Sequence, residues 1–193
     1  MTHRCAVIGS PIAHSLSPVL HRAAYDQLGL HDWSYESFDV TPQTLPDFLA
    51  SRSLEWVGLS VTAPRKSELL AHGLAEQRAS DLDAANTLVF GRPNRLYNTD
   101  VSGMRVALAR HGVTQARSAI VLGAGATARS AFASLEALGV RTVVVAARSA
   151  QRAHESLDRV AGILGIDFRV LPWDELDELD PQGAELLVST VPT

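Results

Sequence analysis

Short apolar runs alternate with stretches of helical periodicity along the whole chain. Cys5-Ala6-Val7-Ile8-Gly9 predicts a first strand. Ser17 followed by Pro18 predicts a helix start, an N-cap with a first-turn proline, and the helix should run to about Leu28 before Gly29 ends it. Trp33 to Val40 alternates aromatic and polar residues as a strand does, Leu45 to Ser51 reads as a short helix, and Trp56 to Val61 as another strand, with Pro64 a second first-turn proline. Short helices are expected over Ser67–Leu74 and Glu76–Leu82. Thr87–Phe90 and Arg95–Tyr97 predict a hairpin around Gly91-Arg92-Pro93-Asn94, and Ser102–Arg110 a helix ended by Gly112.

Past that point the strands become continuously apolar. Ala119–Leu122 and Thr142–Ala146 read as buried strands separated by an alanine-rich helix, Ala126 to Leu138, that stops at Gly139. A helix over Gln151–Leu164, a strand over Phe168–Leu171, an acidic turn or short helix over Asp174–Leu179 and a strand over Leu186–Ser189 follow. The acidic stretch is a solvated face. Strict strand–helix alternation with apolar strands predicts a parallel, doubly wound sheet. The expected boundary lies near Asp100, giving domains 1–100 and 101–193.

Composition narrows the class. The chain has 193 residues, one Cys and a formal net charge of −4. A single Cys leaves no disulfide framework. No apolar stretch approaches the ~20 residues of a membrane span, and the first apolar run stops too early for a signal-peptide core. Without a basic tract there is no electrostatic footprint for nucleic acid. A cytoplasmic protein acting on small molecules is expected. His14 and His21 have no Cys or carboxylate at ligand spacing, so no metal site is expected.

One count stands out. Of the 17 basic residues, 16 are Arg and one, Lys66, is Lys. Arginine is effectively never deprotonated, whereas lysine exchanges a proton. A chain that uses Arg wherever it needs charge has kept one Lys.

Two chemistries are written in the loops. Gly123-Ala124-Gly125-Ala126-Thr127-Ala128 follows a predicted strand and opens a predicted helix, the context that G-x-G-x-x-G/A requires for seating a pyrophosphate on a helix N-terminus. The next strand ends Ala146-Ala147-Arg148-Ser149, with Arg152 close behind, where NAD-binding chains carry an acid. A guanidinium there suits the 2′-phosphate of NADP. In the first half, Ser15 and Ser17 precede a helix N-terminus, a seat for a carboxylate. Three more polar clusters, Ser60 to Lys66, Ala85-Asn86-Thr87 and Asn98 to Gly103, lie at strand ends, where an α/β sheet places its ligand crevice.

Taken in order, these motifs resemble the shikimate dehydrogenase family, with its G-S-P-I-x-H-S-x-S-P, N-V-T-x-P-x-K, A-x-N-T and N-T-D-x-x-G segments, a glycine-rich turn, an N-R-T-like site and an S-T-x-P strand end. The resemblance implies an α/β chain: a mixed-sheet substrate domain, then a Rossmann-like doubly wound parallel sheet. Ser15 and Ser17 would hold the shikimate carboxylate, and Thr62, Asn86 and Asp100 the ring hydroxyls. Lys66 and Asp100 would form the catalytic pair. Gly123, Gly125, Ala126 and Thr127 would line the pyrophosphate, and Arg148, Ser149 and Arg152 the 2′-phosphate. Ser189, Thr190 and Val191 would lie towards the nicotinamide. The implied reaction is reversible reduction of 3-dehydroshikimate to shikimate by NADPH, in a monomer or homodimer.

The chain departs from the family pattern in places. Ser60 stands where Asn is usual, Ala147 and Ser149 replace Asn and Thr around Arg148, and Asp83 stands where Gly is common. Family members are longer, so the resemblance implies a cofactor half that is C-terminally incomplete. The alternatives are a quinate/shikimate dehydrogenase using NAD, which should carry an acid near position 148, and a non-catalytic ligand-binding relative or fragment.

Overall fold

The computed structural model describes residues 2–62, 66–178 and 183–191. The chain forms two compact units, 1–98 and 99–193. The first contains β1 (His3–Gly9), α1 (Ser17–Gln27), β2 (Trp33–Asp39), α2 (Leu45–Ala50), β3 (Trp56–Val61), a 3-10 turn (Glu68–His72), β4 (Leu74–Ala75), α3 (Gln77–Asp81), β5 (Thr87–Val89) and β6 (Arg95–Tyr97). Its six strands run in the order β2-β1-β3-β5-β6-β4. β1 is parallel to β2 and β3, whereas β5 is antiparallel to β3 and β6, so the sheet is mixed.

The period of two decides what each face of this sheet carries. Ala6 and Ile8 of β1 lie in register with Leu59 and Val61 of β3. With Trp56, Leu88 and Leu96 they form the main core, flanked by Phe38, Phe48 and Phe90. Two guanidinium groups stack on those rings: Arg52 lies 4.0 Å from the Phe48 centroid and Arg4 4.7 Å from Trp56. The opposite face carries a smaller cluster of Val7, Ile12 and Tyr35 with Cys5 and Tyr25. Burial raises the Cys5 thiol pKa although a Tyr25 hydrogen bond opposes it, and burial likewise raises that of Tyr25.

Local chemistry departs from expectation at the start of α1. Leu16, not Ser17, is the N-cap, and Ser17 is the first helical residue. The Ser17 N–H, one of the donors a helix start leaves orphaned, donates to Ser15 Oγ at 3.3 Å. Ser15 therefore does the capping that the sequence pattern assigns to Ser17. The expected helix over 67–74 is only the 3-10 turn, and Leu74–Ala75 leave it to pair with Arg95 and Leu96 of β6. Pro64 and Leu179 lie outside the described residues.

The second unit contains α4 (Asp100–Arg110), β7 (Ser118–Leu122), α5 (Ala126–Glu136), β8 (Thr142–Ala147), α6 (Ala150–Leu164), β9 (Asp167–Pro172), a 3-10 turn (Trp173–Glu178) and β10 (Leu186–Ser189). Four parallel strands run in the order β10-β7-β8-β9. This unit starts two residues before the expected boundary, with Asp100 opening α4. Helix α5 is buried from Ala128 to Leu135, and its Phe132 meets Phe168 of β9 edge to face at 5.8 Å. Ser134 Oγ donates to the Val101 carbonyl of α4, and Arg129 to Ser156 Oγ of α6, so α5 is fastened on both sides. Among the described residues no helix is long and apolar enough to cross a membrane.

Candidate functional site

In the first unit the candidate residues gather at the carboxyl ends of β1 and β3. The Thr62 N–H donates to the Ile8 carbonyl at 3.0 Å, which fastens the chain leaving β3 to the end of β1. The Val61 N–H donates to the Asn86 carbonyl at 2.8 Å, and the Ala85 N–H to the Lys66 carbonyl at 2.8 Å. Three backbone bonds thus bring Thr62, Lys66 and Asn86 to one end of the sheet. Lys66 is buried, only 8% exposed. Asn86 Oδ1 accepts from Thr87 Oγ1 at 3.1 Å. Ala63, Pro64 and Arg65, the middle of the motif that ends in Lys66, lie outside the described residues.

Ser15, in the loop after β1, and Ser17, the first residue of α1, are each half-buried. His21 Nδ1 sits 2.9 Å from the Ser17 carbonyl. A carbonyl only accepts, so Nδ1 carries the proton. Among the described residues no group of three or more His, Cys, Asp or Glu side chains is placed to hold a metal.

Asp83, where the family pattern has Gly, adopts φ 47°. This is the left-handed region, which Asp enters more readily than most residues. Ser67 Oγ donates to the Asp83 carbonyl at 2.8 Å and steadies the turn. The backbone that leads into Ala85-Asn86 therefore keeps the glycine-like conformation without the glycine. Asp100 is the first residue of α4 and belongs to the second unit, two residues past Asn98, whose Nδ2 donates to the Ala84 carbonyl.

In the second unit the glycine motif forms the β7–α5 turn. Gly123 has φ +96°, and a Cβ there would lie 2.7 Å from Thr190 Oγ1 and 3.1 Å from Val191 Cγ1. Two independent constraints demand glycine. Gly125 is the N-cap of α5, and a Cβ on it would meet nothing within 4 Å. The open space beside Gly125 lies at the start of α5, whose first turn has N–H groups that a helix does not use itself. Ala128 is fully buried, the close helix–strand contact the motif requires.

Arg148 and Arg152 are exposed just past β8, the neighbour of β7. Ser149 caps α6, its Oγ accepting from the Arg152 N–H at 3.3 Å. These groups fit a nucleotide carrying a 2′-phosphate: an open glycine turn on a helix N-terminus, and two guanidinium groups with a capped helix at the next strand end. Thr190 Oγ1 donates back to the Leu122 carbonyl at 2.8 Å, so it braces the glycine turn from β10. The sequence reading missed that bracing role, because it joins residues far apart in the chain. It also missed Tyr35, whose hydroxyl reaches Ser60 across the sheet.

Residues 7–88 match the family model described as shikimate dehydrogenase substrate binding domain. The shikimate dehydrogenase (NADP(+)) of Geobacter metallireducens is 38% identical over 198 residues, an alignment covering 98% of this chain and 68% of that relative. The crystal structure of Mycobacterium tuberculosis shikimate dehydrogenase superposes with a TM-score of 0.83 at 40% identity, covering 98% of this chain and 70% of that one. Shikimate 5-dehydrogenase from Thermus thermophilus, in complex with NADP(H) and shikimate, superposes with a TM-score of 0.81 at 34% identity, covering 98% and 69%. The similarity runs through both sheets in one order, and the chain belongs to the shikimate dehydrogenase family.

Proposed function

We propose that this chain catalyses the reversible, NADP-linked interconversion of shikimate and 3-dehydroshikimate. The observation that carries the reading is the sole lysine, buried and fastened through Ala85 beside Asn86 at the strand ends that also carry Thr62. In the reductive direction Lys66 Nζ donates its proton to the carbonyl oxygen as that oxygen gains charge. In the oxidative direction neutral Nζ accepts the hydroxyl proton. Ser15 and Ser17 hold the ring carboxylate at the start of α1, and Thr62 and Asn86 hold ring hydroxyls. By the family motif Asp100 orients the reacting hydroxyl. The nicotinamide supplies or takes the hydride when bound. Gly123, Gly125, Ala126 and Thr127 hold its pyrophosphate, Thr190 braces their turn, and Arg148, Ser149 and Arg152 hold the 2′-phosphate. We place the protein in the cytoplasm, as a monomer or homodimer, in keeping with a single thiol and no disulfide framework.

Absorbance at 340 nm with shikimate and NADP⁺ tests the reading, and turnover is expected. Shikimate binding without turnover would favour a non-catalytic relative. Cofactor choice has its own test. Arg148→Ala with Arg152→Ala should raise the KM for NADP⁺ by about tenfold or more, the loss of one or two charge-assisted bonds, and leave NAD⁺-linked turnover unchanged. Equal losses with both cofactors would sink the 2′-phosphate assignment.

A further inference from the structure

We propose that Tyr35 is a positioning residue of the substrate site: its phenol fixes the Ser60 hydroxyl as a hydrogen-bond donor to an oxygen of the bound ring. The inference rests on the reading that the first unit binds shikimate, and adds two residues to it.

The geometry begins with reach. Tyr35 is on β2 and Ser60 on β3, with β1 between them. Tyr35 lies in register with Cys5 and Ser60 with Val7, so both stand on the face opposite the main core. Two strand spacings separate their backbones, roughly 9.5 Å. A tyrosine spans that gap, and its hydroxyl lies 2.8 Å from Ser60 Oγ.

Direction comes next. Tyr35 is 3% exposed, and burial raises its pKa, so the phenol keeps its proton. A phenol is a stronger donor than an aliphatic alcohol, so Tyr35 donates and Ser60 accepts. A serine hydroxyl has one proton and two lone pairs. With a lone pair taken by Tyr35, the Ser60 proton is left to donate, and among the described residues its hydroxyl makes no hydrogen bond other than the one it accepts from Tyr35. Ser60 lies on β3 two residues before Thr62, which follows the strand, and pairs with Thr87, the neighbour of Asn86. The donor therefore stands on the face and at the sheet end where the candidate substrate residues gather.

Tyr35 is itself held in two further ways. Its carbonyl accepts from Arg22 Nε at 3.1 Å. Its ring stacks on His21 with centroids 3.8 Å apart and planes 10° apart. His21 in turn donates to the Ser17 carbonyl. One phenol thus ties the serine-bearing start of α1 to the end of β3, so the two ends of the ring's seat share one support.

A double-mutant cycle tests this with Tyr35→Phe, Ser60→Ala and both together. Shikimate Kd is read by calorimetry, and kcat and KM from NADP-linked oxidation. Tyr35→Phe should raise Kd and KM for shikimate about three- to tenfold, the weight of one hydrogen bond, with KM for NADP⁺ unmoved and kcat changed little. The double variant should be no worse than Ser60→Ala alone, because both act through one hydroxyl. A purely structural effect of losing the phenol would instead add to that of Ser60→Ala, and additivity overturns the proposal. So does a Tyr35→Phe variant that binds shikimate like wild type. Failure of the wild type itself to bind shikimate is a different pattern: it removes the reading beneath the inference, and the inference with it.

Discussion

Lys66→Arg should retain shikimate binding and lose about 10²- to 10⁴-fold in kcat, the usual weight of a positioned general acid–base. The charge is preserved, so the KM for shikimate should move far less than kcat. What is lost is exchange: a guanidinium does not give up its proton at any working pH, whereas a lysine amine does. The composition sharpens the test, since the chain uses Arg at every other basic position. Because Lys66 is buried, Lys66→Gln, shorter and uncharged, serves as a companion variant that adds no bulk, and the bond to Ala85 comes from the backbone carbonyl that both variants keep. Both should unfold at the wild-type temperature and both should be slow. If Lys66→Arg keeps more than about a tenth of the wild-type kcat, Lys66 binds substrate without moving its proton.

The second large effect is expected at Gly123. Gly123→Ala places a Cβ 2.7 Å from Thr190 Oγ1 on a backbone at φ +96°. The left-handed conformation alone costs about 1–2 kcal/mol for a residue with a Cβ. The contact with Thr190 forces β10 or the turn to shift as well. A lower melting temperature and an NADP⁺ affinity down by about two orders of magnitude should follow, the turn no longer presenting its N–H groups where a pyrophosphate lies. Gly125→Ala separates the two causes. Its φ is −86° and a Cβ there meets no atom within 4 Å, so the fold should tolerate it. The added methyl occupies the open space before α5, so cofactor affinity should still fall. Calorimetry for stability and titration with NADP⁺ for affinity resolve the pair. A Gly123→Ala protein that binds NADP⁺ like wild type would remove this turn from the cofactor site.

The contrast between those glycines shows where sequence suffices. The motif identifies both, since strand, turn and helix are local and the spacing is fixed. Only the folded chain shows that one is closed against β10 and the other open. The same division recurs in the first unit. β3 keeps its expected bounds, Trp56–Val61, because apolar alternation sets a strand on a half-buried face. β4 is invisible in the pattern, because two residues become a strand only by pairing with β6, some twenty residues later. Ser17 looked like a cap because Ser before Pro usually is one. The choice of Ser15 instead depends on the loop from Gly9, which the helix pattern does not report. The link from Tyr35 to Ser60 needs the register of three strands, and no local pattern contains it.

The brace on the glycine turn also sets an order of events. Thr190 Oγ1 and the Leu122 carbonyl it binds are separated by 68 positions. β10, the last of the described strands, pairs with β7, the first described strand of its sheet. A bond of that separation forms only after a long loop has closed, against the entropy of closing it. During folding, β7, β8 and β9 can assemble from consecutive strand–helix pieces, while the glycine turn stays unbraced by Thr190 until β10 docks. The Thr190 N–H donates to the Leu122 carbonyl, whereas the Gly123 N–H donates to the Ala146 carbonyl of β8, so the Thr190 amide proton should exchange with solvent when β10 is released and that of Gly123 only when β7 parts from β8.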